Sequence, residues 1–187
     1  KRILLQSFRI PRSVHALASD VVNRIKHRYV KPWQPRREMG TVNYISEADS
    51  IDFSSHKGTW LCMSRSKYLL QRIKKVVRQQ GYAYTYNGKS SLDTNETKAI
   101  TSWEKIRKDK ELNRTEAKNL INFFNFNIKL EKKETYRIND LGLPDDARSR
   151  DWMDVLKALP ADEREYLRSC MRNGEKFKDK PRITISP

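Results

Sequence analysis

Twice within residues 3–80 a short apolar run breaks off into polar and cationic residues and leads directly into an amphipathic helix. The first joint is Ile3-Leu4-Leu5, then Gln6-Ser7-Phe8-Arg9-Ile10-Pro11-Arg12, then a helix predicted over Val14–Tyr29 with Ser13 as its N-cap. The second is Thr59-Trp60-Leu61-Cys62-Met63, then Ser64-Arg65-Ser66, then a helix over Lys67–Gln80 that Gly81 closes as its C′ residue. Alternation of this kind restricts the chain to an α/β sheet, at least partly parallel, because parallel neighbours need a crossover between them. Ligand sites of such sheets collect at strand ends. Both joints put their cations there.

The two helices carry the expected stripes. Val14, Leu17, Ala18, Val21, Val22 and Ile25 recur at helical spacing, as do Leu69, Leu70, Ile73, Val76 and Val77, so each helix is expected to face a core. Pro11 holds the residue before it extended. Read alone, Phe8 suits a core position and Arg9 a surface charge or an ion pair.

Between the joints, Lys31-Pro32-Trp33-Gln34-Pro35-Arg36-Arg37 is an extended linker, Gly40–Ile45 alternates as a strand near a sheet edge, and residues 46–57 are an acidic loop. The unbroken apolar run Thr59–Met63 reads as a strand buried on both faces. Tyr82–Tyr86 alternates as a further strand that ends in an Asn87-Gly88 turn. From Thr94 to about Arg172 no strand is expected. Glu96–Ile106, Thr115–Phe124, a stretch around Trp152–Leu159 and a last segment carrying Tyr166, Leu167, Cys170 and Met171 read as helices, with a Lys/Glu-rich connector over Asn127–Arg150. Their aromatics and leucines suit ordinary helix packing, with Trp103 alone held open for another role. Arg182–Ser186 returns to strand. The first residue is Lys, not Met, and the chain opens inside a strand, which reads as part of something longer.

Charge narrows the partners. Lys plus Arg is 39 against 23 Asp plus Glu, a net charge of +16, and a polyanion, nucleic acid first and an anionic membrane surface second, is the partner this implies. A well-solvated basic face is the plain alternative. Residues 1–37 hold ten basic side chains and one acid, Asp20, while Ser64–Gln80 holds six and none. No apolar run approaches the length of a membrane span. Cys62 and Cys170 read as buried thiols of a cytoplasmic protein, and His15, His27 and His56 have no ligand spacing, so no metal site is expected.

The chain also lacks a Gly-x-x-x-x-Gly-Lys-Ser/Thr loop, and no acidic quartet follows an apolar strand, so a phosphate cradle and magnesium ligands are missing from it. What it does contain resembles a known arrangement. Leu4–Asn23, reading LLQSFRIPRSVHALASDVVN, is similar to the motif IV region of the UvrD/Rep/PcrA helicases of superfamily 1, and Trp60–Gly88 to their next block of strand, Arg, Ser or Thr, helix, Gly and Tyr-containing strand. Glu96 matches the Glu of their Arg-x-Glu-Ile segment, and Arg182–Pro187 resembles the strand leading into motif V. Phe8 stands for the family's Tyr, Lys67 for its Asn and Thr94 for its Arg.

The resemblance implies a partial RecA-like domain, 2A, with a mostly parallel sheet over residues 1–106 and 179–187, and an α-helical 2B-like insertion over 107–178. It implies that Phe8 stacks on adenine, that Arg9 reaches the γ-phosphate as the catalytic arginine, and that Gln6 and Ser7 shape that wall. Arg65, Ser66 and Lys67 would meet single-stranded DNA or a single-strand/duplex junction. ATP and Mg2+ would be held in the parent protein with its upstream 1A domain, the fragment alone being inactive and binding neither tightly. Two other functions fit the residues: a stand-alone basic nucleic-acid-binding module without ATPase activity, stacking bases on Trp33, Tyr82, Tyr84 and Tyr86, and an adaptor whose basic faces meet an acidic protein.

Overall fold

In the computed structural model the structure describes residues 5–30 and 32–187, so Ile3 and Leu4 of the first expected strand lie outside the described residues, as does Lys31. The chain forms two compact units, one ending at Ser46 and the other spanning Glu47–Pro187.

In the first unit, α1 covers Arg12–Asn23. It begins at Pro11, whose fixed φ of -65° suits a helix start, and not at Ser13. Ser13 instead lies in the first turn, where its hydroxyl donates to Met39 O at 2.7 Å and its N–H to the same carbonyl at 2.9 Å. The helix ends six residues before Tyr29. The apolar stripe does not face a core: no residue of α1 is buried, and Val21 and Ile25 are more than half exposed. Helices of this length owe their stability mainly to tertiary packing, so an uncovered stripe gives no reason to extend.

Beside α1 the chain folds back on itself. Gln6 makes an isolated parallel bridge to Gln34, with Ser7 N–H donating to Gln34 O and Gln34 N–H to Leu5 O, both at 2.7 Å. Residues 40–45 are not a strand. Gly40 adopts φ +69°, and a Cβ there would lie 2.6 Å from Pro11 Cβ, a close approach that no extended ladder allows.

The second unit is α/β, with a mixed sheet. Its elements run β1 (Trp60–Met63), α2 (Lys67–Gln79), β2 (Tyr84–Tyr86), β3 (Lys89–Ser90), α3 (Asn95–Ile106), β4 (Leu112–Asn113), α4 (Arg114–Ile121), β5 (Thr135–Tyr136), α5 (Trp152–Val155), α6 (Ala161–Arg172) and β6 (Ile183–Ser186). The main sheet has the order β1-β6-β2-β3, with β6 parallel to both neighbours and β3 antiparallel to β2. Asn87 and Gly88, both at positive φ, make the tight turn of that hairpin, as the Asn-Gly pair predicts.

α2 covers one face. Leu70, Val76 and Val77 pack with Phe53, Ile183 and Ile185, and Trp60, Cys62, Tyr84 and Tyr86 join from the same side of the sheet. Gly81, at φ +71°, closes α2 with Tyr82 N–H bonding back to Val77 O at 3.1 Å. Gln80 then clips the acidic loop to the helix, its amide donating to Ile51 O at 2.6 Å and accepting from Phe53 N–H at 2.9 Å. β1 is an edge strand buried on one face only. Leu61 is 61% exposed and Met63 68%, against the expectation of a strand covered on both sides. Leu69 likewise falls outside the stripe and is half exposed.

Residues 92–172 build a second core. Ile100, Trp103 and Ile106 of α3, Ala117 and Leu120 of α4, Trp152 and Val155 of α5, and Leu167 and Cys170 of α6 belong to it, together with Ala83 and Leu92 from the sheet side. Trp103 is fully buried, its indole N–H donating to Arg150 O at 3.3 Å, so it is a core residue. The segment is not strand-free: β4 and β5 pair antiparallel, Leu112 opposite Tyr136. A two-residue pairing leaves no periodicity to read, so hydrophobic spacing cannot announce it.

Candidate nucleic-acid and nucleotide-facing surfaces

The expected site residues fall into two groups, one in each unit. Gln6, Phe8 and Arg9 share one turn of the first. Ser7 Oγ accepts from Ile10 N–H at 3.1 Å and from Arg9 N–H at 3.4 Å, while its own N–H is held by Gln34 O. Gln6 is spent on the fold, its side-chain amide donating to Pro35 O at 2.8 Å. Arg36 N–H closes the far side on Ile10 O at 3.0 Å. A turn fixed at Gln6, Ser7 and Ile10 leaves its tip to project. Phe8 is 87% exposed, and Arg9 is exposed with no ion pair among the described residues. Phe8 is therefore not the core aromatic it suggests when read alone.

Arg65, Ser66 and Lys67 sit together where β1 passes into α2. Ser66 is the N-cap, its hydroxyl accepting from Leu69 N–H at 3.5 Å, and Ser66 N–H donates to Ser64 Oγ at 3.4 Å. Arg65 and Lys67 are exposed. Most cations farther along α2 have partners. Arg72 pairs with Asp49 at 2.7 Å and Glu47 at 2.9 Å, which draws the Asp49 carboxyl below its usual range through that hydrogen bond. Lys74 lies over the Tyr86 ring, 3.1 Å from its centroid. Arg78 meets Glu163 at 2.5 Å and stacks on Tyr166 at 3.8 Å. Of the six basic residues in Ser64–Gln80, Arg65, Lys67 and Lys75 make no ion pair or ring contact among the described residues.

The aromatics expected of the stand-alone module are not platforms. Tyr82, Tyr84 and Tyr86 are half-buried under Arg182, beside Arg78 and under Lys74, and Trp33 meets His15 edge-on at 4.4 Å. An exposed aromatic at the second joint is Tyr68, at 82%, in the first turn of α2 directly after Arg65-Ser66-Lys67. Sequence reasoning does not single it out. The available signal is its position, off the buried stripe of Leu70, Ile73 and Val77 and beside three site residues.

The buried polar groups elsewhere are structural. Tyr166 OH bridges Ser91 Oγ at 2.8 Å and Tyr82 O at 3.2 Å, and burial holds its phenol protonated far above the usual range. Burial pushes the Cys170 thiol up to about 12. Among the described residues no group of three or more His, Cys, Asp or Glu could hold a metal ion, and no helix is long and apolar enough to cross a membrane. The two exposed surfaces present aromatic rings and cations, groups suited to stacking and to cation–phosphate contact. No family model, curated protein or solved structure matches the chain.

Proposed function

We propose that the chain is part of the 2A RecA-like domain, with a helical 2B-like insertion, of an ATP-dependent 3′→5′ DNA helicase or translocase of the UvrD/Rep/PcrA kind. In the parent polypeptide an upstream 1A domain holds ATP and Mg2+. Phe8 stacks on the adenine, Arg9 stabilises charge on the transferring γ-phosphoryl group, and Arg65, Ser66 and Lys67 touch the single strand. The observation that carries this reading is the Ser7–Ile10 turn. Its backbone is fixed from both sides, and it presents outward an aromatic ring and an adjacent guanidinium with no ion pair among the described residues, the pair of groups that suits a nucleotide bound to another domain. The parallel strands β1, β6 and β2, with cations at the exit of β1, are consistent with it.

The test is single-strand-stimulated ATP hydrolysis by the parent polypeptide, wild type beside Arg9→Ala. Loss of an arginine that acts in this way lowers turnover by roughly 10³–10⁵. Turnover should collapse on that scale while oligonucleotide affinity and unfolding temperature hold. An unaffected mutant would sink the helicase reading. It would leave a basic nucleic-acid-binding module without ATPase activity, which Arg65 and Lys67, unpaired among the described residues, favour because they need nothing from a nucleotide.

A further inference from the structure

We propose that Tyr68 is a base-stacking platform for the single strand whose phosphates meet Arg65 and Lys67. The inference rests on the nucleic-acid-binding part of the reading above and does not depend on ATP hydrolysis.

Of the eight tyrosines in the chain, Tyr136 and Tyr166 are buried, and Tyr82, Tyr84 and Tyr86 are half-buried in the packing around the sheet. Tyr29 and Tyr44 are exposed but lie outside any helix or strand. Tyr68 differs from all of these: it is 82% exposed and sits on a regular helix whose far side is anchored by Leu70, Val76 and Val77. Its backbone is therefore held in place while its ring remains in water.

Leu69, the next residue of α2, is also exposed, at 53%. Arg65, Lys67, Tyr68 and Leu69 follow one another within five positions, so the entry into α2 carries two chemistries, cationic and apolar. An apolar partner surface would leave Arg65 and Lys67 desolvated without counter-charge. A single strand satisfies both, since its phosphates neutralise the cations and its bases present flat apolar faces to the ring. Stacking of this kind accepts any base, and its loss on alanine substitution weakens binding several-fold to a hundredfold.

The experiment is fluorescence anisotropy of the 187-residue chain with a labelled oligo-dT strand and with the same strand carrying abasic sites. Tyr68→Ala should bind oligo-dT roughly tenfold more weakly than wild type. Tyr68→Phe should retain wild-type affinity, and on the abasic strand the three proteins should converge. Arg65→Ala and Lys67→Ala should each weaken both strands and reduce the salt slope by about 0.7. If the cation variants behave so and Tyr68→Ala is indistinguishable from wild type on oligo-dT, the stacking role is wrong and the nucleic-acid reading stands. If neither cation variant alters binding, both fall together. An equal loss for Tyr68→Ala on the intact and abasic strands would also overturn the proposal, since it would show that the ring supports the fold of the joint and does not meet a base.

Discussion

α1 and α2 are close to the same length and both carry apolar residues at helical spacing, yet one buries nothing and the other anchors the sheet. On α2 the stripe meets Phe53, Ile183 and Ile185, and the two isoleucines point to that face because β6 alternates. On α1 no residue of the stripe is buried, and what holds the first unit is backbone hydrogen bonding between residues 5–13 and 34–39 together with the Gly40–Pro11 contact. Amphipathic spacing states that a helix has a face suited to a partner. It does not supply the partner.

The sharpest way to break this comparison is to truncate equivalent positions. Leu70→Ala removes a fully buried side chain and should cost about 2–5 kcal/mol in urea unfolding, whereas Leu17→Ala, at a site 38% exposed, should stay within about 0.5 kcal/mol. Equal losses would mean that the α1 stripe packs into a core no less than that of α2 does.

Next in size is Gly40→Ala. Left-handed backbone costs an alanine about 1–2 kcal/mol, and the new Cβ would also press on Pro11 Cβ at 2.6 Å. Limited proteolysis should then cut within residues 5–46 while the unfolding midpoint of residues 47–187 is unchanged. Resistance to cleavage would show that the first unit does not depend on this turn.

The smallest effect concerns acid. Burial raises the Glu116 pKa, but hydrogen bonds from Lys105 and from Asn113 N–H outweigh it and hold the carboxyl below its ordinary 4.5. A carboxyl lowered in the folded state adds stability above its unfolded pKa and loses it as pH falls through the folded one. Glu116→Gln should therefore cost about 0.5 kcal/mol at neutral pH, discounted for the part exposure of the pair, and nothing once the wild-type carboxyl is protonated. Two-state unfolding measured from about pH 6 down to about pH 3 should show the two curves merging. If they stay parallel, the ion pair is not what stabilises the start of α4.

The Ser7–Ile10 turn and the β1–α2 joint differ in how far they can be read from sequence. Phe8 and Arg9 fall on a connection before a helix, and their exposure follows from Ser7 and Ile10 holding the turn. The neighbouring Gln6 looks equally available, but its amide is consumed by Pro35 O, a partner 29 positions away that no local pattern announces. At the second joint the order of strand, cations, capping serine and helix is legible, while Tyr68 is hidden by its place next to the apolar stripe.

Composition, spacing and turn chemistry by themselves determined the α/β class, the stripes of α2 and α3, the Gly81 stop, the Asn87-Gly88 hairpin and the concentration of positive charge. These depend on residues a few positions apart, whose interactions are the same in any fold. Only the tertiary structure decided that β6, last in the chain, lies between β1 and β2, that β1 keeps one face open, that residues 40–45 turn back and do not pair, and which cations of α2 stay unpaired. Each of those outcomes is a competition for partners among residues far apart in sequence. Arg72 is neutralised by Glu47 and Asp49, and Arg78 by Glu163, because the fold delivers those carboxylates to them, and it delivers none to Arg65 or Lys67 among the described residues.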